Sequence, residues 1–394
     1  MSMRQRKQPG IVRSAGFTLV EIMIALLIGL IGIVVMMQTF AVSEGFKRTA
    51  TSGTDAQING GVGLYMLQRE LRMAGYGMGG LMVAGCQNVV VWNNTSGTSM
   101  NMPLFPFQIN PAGVPAGDAN TDVLMIVYGT ADSAVSGIPL SGSQSSPNDP
   151  LQVYNWDAFQ TGDLFVTVTP NGANPSCVLH EATATHNPAT NCGSTAGIGI
   201  VNFGTANYQQ YAPSGCVTTT PKFNRSTTIT DPSGVAVPIV AFPNATVHNL
   251  GNLAIHVYAV RGGILTMCDW VASNCTAVAG FSPAVDGIVS LRAVYQMDIS
   301  GTVDANAPDG LPPTPSRVAL TTNVYYPSRV MAVTMELVAR SGLKEKVNQA
   351  GVCAITPSAT RPDIVQDWIY QSTAGAGIDV SGTSTDWACY RYKL

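Results

Sequence analysis

The feature that most constrains this chain is an apolar run from Phe17 to Met37, FTLVEIMIALLIGLIGIVVMM, broken by a single acid, Glu21. Its 21 residues, as a helix rising about 1.5 Å per residue, reach about 30 Å, the hydrocarbon thickness of a bilayer. A secretory signal peptide has a shorter apolar core and places its small-residue cleavage site after it. Here the small residues Ser14, Ala15 and Gly16 come before the run. A cut after them leaves the run on the mature protein. Arg4, Arg6, Lys7 and Arg13 crowd the segment ahead of it without a single acid, which marks that side as cytoplasmic by the positive-inside bias.

Glu21 is the anomaly. A carboxylate in a membrane helix costs several kcal/mol and is rarely tolerated without a partner. Cleavage after Gly16 would free the amine of Phe17, four residues before Glu21. That positive charge, the chain's own or a neighbour's, would neutralise the acid. A glutamate that only snorkels to the interface is the blander alternative, and it leaves the surrounding string unexplained. Gly16-Phe17-Thr18-Leu19-Val20-Glu21 resembles the prepilin motif of type IV pilins and type II secretion pseudopilins. The resemblance implies cleavage between Gly16 and Phe17 by a prepilin peptidase, N-methylation of Phe17, and pairing of Glu21 with a neighbouring subunit's N-terminus during assembly.

Polarity rises after Met37, yet helical spacing continues: Leu64, Leu67, Leu71 and Ala74 share one face, the pattern of core packing. Gly53, Gly60, Gly61 and Gly63 weaken this part by up to about 1 kcal/mol each, so a bend or melted stretch is expected there. Gly75, Gly77, Gly79 and Gly80 end the helix. Their string formally matches a dinucleotide fingerprint, but a helix precedes it and no helical pattern follows, so it reads as helix termination. Beyond residue 80, β-branched apolar runs predict strands over 122–128, 163–169, 253–260, 288–297 and 330–338. Arg261-Gly262-Gly263 offers a hairpin turn. Residues 331–339 alternate as a half-exposed strand does. Segments 93–120, 129–150, 185–248 and 300–322 are rich in Gly, Pro, Ser, Thr and Asn and read as surface loops.

The head extends the likeness. Leu67 to Tyr76, Gly85-Cys86, Tyr258 to Asp269, Ile288 to Asp298, Arg329 to Ser341 and Tyr390-Arg391-Tyr392 resemble segments of the PilW family of minor pilins. The likeness thins across 93–250. It implies an α+β pilin fold, a long N-terminal α-helix packed on an antiparallel β-sheet head with long loops. The expected organisation is a cleaved cytoplasmic leader (1–16), a helix (17–80) that spans the inner membrane over about 17–38, and a β-rich head (81–394) in the periplasm. It further implies a minor pilin of the type IV pilus that primes assembly or sits at the tip, supporting pilus biogenesis, adhesion and twitching motility. The implied partners are other minor pilins, the major pilin, a PilY-type tip adhesin and prepilin peptidase, with the pilus or cell surface as the location after assembly. A head this bulky would crowd a repeating lattice, which favours the tip. The rival readings are a minor pseudopilin of type II secretion and a pilus-borne adhesin.

Composition narrows the rest. Charged residues make up only 11% of the chain, against roughly 25% in ordinary soluble domains. Beyond residue 16 the remaining 16 bases face 23 acids, leaving about 7 negative charges, which argues against nucleic acid as a partner. No nucleophile elbow, P-loop or zinc-protease motif occurs, so no enzyme, cofactor or metal is expected. The four histidines, His180, His186, His248 and His256, stand at no metal-ligand spacing. Asp304-x-Asn306-x-x-Asp309-Gly310 lacks the glutamate of a calcium loop. The Asn-x-Ser/Thr triplets, at Asn224 among others, are chance matches in a Ser/Thr-rich chain. All eight cysteines, Cys86, Cys177, Cys192, Cys216, Cys268, Cys275, Cys353 and Cys389, follow the apolar run, which points to disulfides in an oxidising compartment. Cys268 and Cys275 are close enough to staple a short loop, and Cys353 and Cys389 could clip the C-terminal segment. Cys177 could pair with Cys192 or with Cys86, leaving Cys216 to the remaining thiol.

Overall fold

The structure is a computed structural model that describes residues 16–80, 86, 88–94, 97–103, 105–119, 121–131, 136–146, 149–170, 175–186, 192, 196–231, 234–237, 245–297, 314–316, 330–344, 389–390 and 392–393. It shows the α+β architecture of a pilin fold: one 55-residue helix, Leu19–Met73, followed by mostly antiparallel sheets. At about 1.5 Å per residue the helix is about 80 Å long. The helix begins at Thr18, whose side chain caps it. It ends at Met73, about two turns short of the boundary expected at residue 80, because Gly75 and Gly77 take up φ of +79° and +74°.

The helix runs unbroken through its glycines, so the melted stretch given as one alternative there does not occur. The face that meets the head is Ser52, Ala56, Gly60, Gly63 and Leu67, and Leu64 points away, 47% exposed. A Cβ on Gly60 would stand 3.1 Å from Ala339 Cβ, and one on Gly63 would stand 3.0 Å from Leu337 Cδ2. The two glycines therefore trade helix propensity for close approach to the strand Val330–Arg340. Leu67, fully buried, anchors this face and contributes roughly 1.5–3 kcal/mol by leaving water.

The head stacks in layers behind the helix. Against it lie a four-stranded sheet, with Ile288–Met297 and Val330–Arg340 at its centre, and a five-stranded sheet whose middle strands are Ala254–Arg261 and Leu124–Tyr128. Behind the latter stands a six-stranded sheet built from Asn88–Asn93, Thr98–Pro103, Ile138–Pro139, Leu164–Thr169, Ser176–Glu181 and Thr246–Gly251. Period-two alternation distributes side chains between the layers. Leu124, Ile126 and Tyr128 join the core under the helix, while Val123, Met125 and Val127 join the core between the two larger sheets. Phe165 points the other way from Leu164 and Val166, into a third core with Phe159 and Phe203.

The hairpin expected at Gly262-Gly263 is present, with both glycines at positive φ (62° and 76°) and Arg261 opposite Ile264, the geometry of a type I′ turn. Asp118 accepts from the N–H groups of both glycines, at 3.0 and 3.1 Å. Other expectations need correction. The segments read as loops hold the strands Thr98–Pro103, Phe107–Ile109, Tyr208–Ala212, Gly215–Thr219 and Thr246–Gly251. Several of these are too polar to announce themselves by periodicity. Asn88–Asn93 and Ser176–Glu181 are strands as well. The far end of Val330–Arg340 is buried on both faces, because Leu337 and Ala339 face the helix while Val338 packs with Val289 and Tyr392. The loop containing Asp304 and Asp309 lies outside the described residues.

Overpacking at the helix–head contact gives a direct test. Gly63→Leu should destabilise the head by about 1–3 kcal/mol. Gly61→Ala, which meets nothing within 4 Å, should stabilise by up to about 1 kcal/mol. Urea unfolding of the full chain in detergent measures both.

Candidate functional site

The candidate site is the first part of the helix. Every described side chain from Gly16 to Lys47 is exposed. Among the described residues this is the one helix long and apolar enough to cross a bilayer, and none of its apolar window is buried by the head. Between the membrane-length run and the first docked residue, Ser52, lies a stalk of about 14 residues carrying Glu44, Lys47 and Arg48, about 20 Å of helix.

At the helix start, Glu21 and Thr18 form a capping box. The Glu21 N–H donates to Thr18 Oγ1 at 3.3 Å, and the Thr18 N–H donates to Glu21 Oε2 at 3.4 Å. Thr18-x-x-Glu21 is the sequence signature of such a box, a signal that the reading of Glu21 as a charge alone passes over. The box turns the carboxylate back toward Phe17, the residue whose amine a cut after Gly16 would free. Phe17, Glu21, Ala25, Gly29 and Ile33 follow one another at four-residue spacing on one face. The small Ala25 and Gly29 leave a shallow apolar groove beside the carboxylate.

The cysteines of the head form disulfides. Cys86 pairs with Cys177, Cys192 with Cys216 and Cys268 with Cys275, at Cα separations of 6.0, 5.5 and 5.8 Å. The alternative of Cys177 with Cys192 gives way, because the parallel pairing of Val90 with Val178 brings Cys86 beside Cys177. A contact between residues 91 apart leaves no trace in local spacing. Cys389 is buried and disulfide-bonded, while Cys353 lies outside the described residues.

The histidines occupy separate structural positions. His180 packs between Phe165 and Phe203, where burial pushes its pKa down to about 3. His248 meets Thr246 Oγ1 at 3.1 Å and is pushed down to about 4 by burial. His186 bonds the Ala196 carbonyl and sits edge-on to Trp156. His256 meets Glu70 of the helix, a partner the sequence did not reveal. Among the described residues no cluster of three or more His, Cys, Asp or Glu could hold a metal. Asn224 is fully buried and hydrogen-bonds Glu181 and Gly204.

Residues 12–37 match the family model of the prokaryotic N-terminal methylation motif. This supports a type IV pilin-like or pseudopilin-like subunit. No curated protein and no solved structure matches the chain. The matched segment contains Gly16, Phe17 and Glu21 and ends at Met37, the end of the apolar run. Such a motif implies processing by prepilin peptidase and assembly with other pilins. Together with the bare helix it fits inner-membrane anchoring before assembly.

The bridges differ in the loops they close, 91 residues for Cys86–Cys177 and 7 for Cys268–Cys275. By loop-closure entropy, replacing the first pair with serine should cost about 4–5 kcal/mol and the second about 2. Denaturant midpoints of the two double variants should fall in that order.

Proposed function

We propose that this chain is a PilW-type minor pilin of the type IV pilus. In this reading prepilin peptidase cuts between Gly16 and Phe17, and Phe17 is then N-methylated. The subunit waits in the inner membrane with its head in the periplasm, then enters the filament, where it primes assembly or caps the tip beside other minor pilins and a PilY-type adhesin. The observation that carries the reading is Glu21: one carboxylate on a bare apolar rod, turned back toward the residue that cleavage would make the N-terminus.

The chemistry follows from the geometry. Inside the bilayer the capping box gives Glu21 a local partner, and a freed Phe17 amine would add the opposite charge. When the rod leaves lipid, its apolar surface needs another apolar environment, and helices of sister subunits provide one. An incoming rod that lays its carboxylate against a neighbour's amine keeps both charges paired in that environment, where an unpaired charge is costly, and this fixes its axial position.

Glu21→Ala should insert and be cleaved normally yet enter pili poorly. Its incorporation, read by immunoblot of sheared filaments against the membrane fraction, should fall at least about tenfold, the effect of losing about 1.4 kcal/mol of pairing. Wild-type levels in sheared pili would contradict the pairing role. Recovery of the native protein with a secretion apparatus rather than with pili would instead favour a minor pseudopilin.

A further inference from the structure

The last turn of the helix carries a contact unlike the rest of its docking face. From Ser52 to Gly63 that face is built of Ser, Ala and Gly, which offer little to stop a rod from sliding or rotating on a sheet. At its end, Glu70 Oε2 and His256 Nδ1 stand 2.7 Å apart, with side chains only 14% and 19% exposed. His256 sits on the central strand Ala254–Arg261. Tyr128, from the adjoining strand, also bonds Glu70 and meets the His256 ring edge-on at 5.8 Å. We propose that Glu70 and His256 form a pH-gated latch that locks the helix to the head, closed when both are charged and weakened when either loses its charge.

The groups facing the pair are few. Arg69 flanks Glu70 on the helix, Asp269 lies opposite His256 across the hairpin, and Tyr258 on the same strand feels the Glu70 charge. Burial alone would raise the Glu70 pKa. The hydrogen bond and charge of His256, with the bond from Tyr128, outweigh it and hold the carboxyl below its ordinary 4.5. For His256 the bond to Glu70 outweighs burial and, with the charges of Glu70 and Asp269, lifts the imidazole above its ordinary 6.5. The signs follow by linkage. The histidine's share of the latch is complete below 6.5 and is lost as pH rises through the raised value. The glutamate's share is complete above 4.5 and is lost as pH falls through the lowered value. The helix is therefore held most firmly in mildly acidic solution and loosens in alkali. Because the described side chains ahead of Ser52 are exposed, the rod is held through the docked part of the helix alone, and this contact adds to Leu67 in fixing that part on the head. The latch joins two parts of one chain and stands apart from the filament reading.

Hydrogen exchange on the full chain in detergent micelles tests it, from about pH 5.5 to about pH 9.5, across the histidine range. Amides 70–77 are followed, corrected for intrinsic exchange, with amides 164–169 of the distant sheet as internal reference. In the wild type, protection of 70–77 should fall severalfold toward alkaline pH while the reference holds. His256→Asn keeps a donor but no titratable charge, and Glu70→Gln keeps the shape. In both, protection of 70–77 should start lower and stay flat. A flat wild-type profile, a wild-type response preserved in either variant, or equal loss in both segments would each overturn the latch.

Discussion

A rod that its own head leaves uncovered dictates the rest of this molecule. Sixteen large apolar side chains from Phe17 to Met37 are about half exposed or more. Full burial is worth roughly 1.5–3 kcal/mol for each, so together they stand for tens of kcal/mol. The net stability of a whole domain is only about 5–15 kcal/mol. No rearrangement of the head can offset an exposure of that size, and water is not an option for this segment. The rod lies in lipid or against other rods, and the chemistry at its start must be compatible with both.

Two demands on one helix explain its uneven composition. From Phe17 to Met37 the side chains are mostly large and apolar, suited to lipid or to a bundle of helices. From Ser52 to Gly63 they shrink, so that the same helix can lie against the strand Val330–Arg340 with Cβ-scale clearances. Past Gly63 they grow again through Leu67 and finish with the charged contact of Glu70 to His256. The head then needs several sheets and at least three disulfides to hold loop-rich segments in order. Those bridges act mainly by restricting the unfolded chain.

The N-terminal half of this account was legible in the sequence, because membrane span and cleavage motif are local patterns read residue by residue. The strands rich in apolar, β-branched residues, such as Ile288–Met297, were legible for the same reason. What was not legible depends on distant partners. Gly60 and Gly63 look like helix breakers until Ala339 and Leu337 are placed opposite them. Polar strands such as Tyr208–Ala212 exist because Gly215–Thr219 pairs with them, not because of their own periodicity. The Cys86–Cys177 bridge and the Glu70–His256 contact join residues 91 and 186 apart, and neither separation is written into a local motif. Thr18-x-x-Glu21 is the instructive exception: the capping signal was local, but the charge of Glu21 drew attention away from its reach.

The central claim is that the mature protein begins at the phenylalanine ahead of the helix cap, with the glutamate facing the new amine. Mass spectrometry of the native protein, extracted from membranes, examines it most directly. The account predicts an N-terminal peptide that starts at Phe17 and carries a methyl group on its amine. A native chain still bearing residues 1–16 would contradict it.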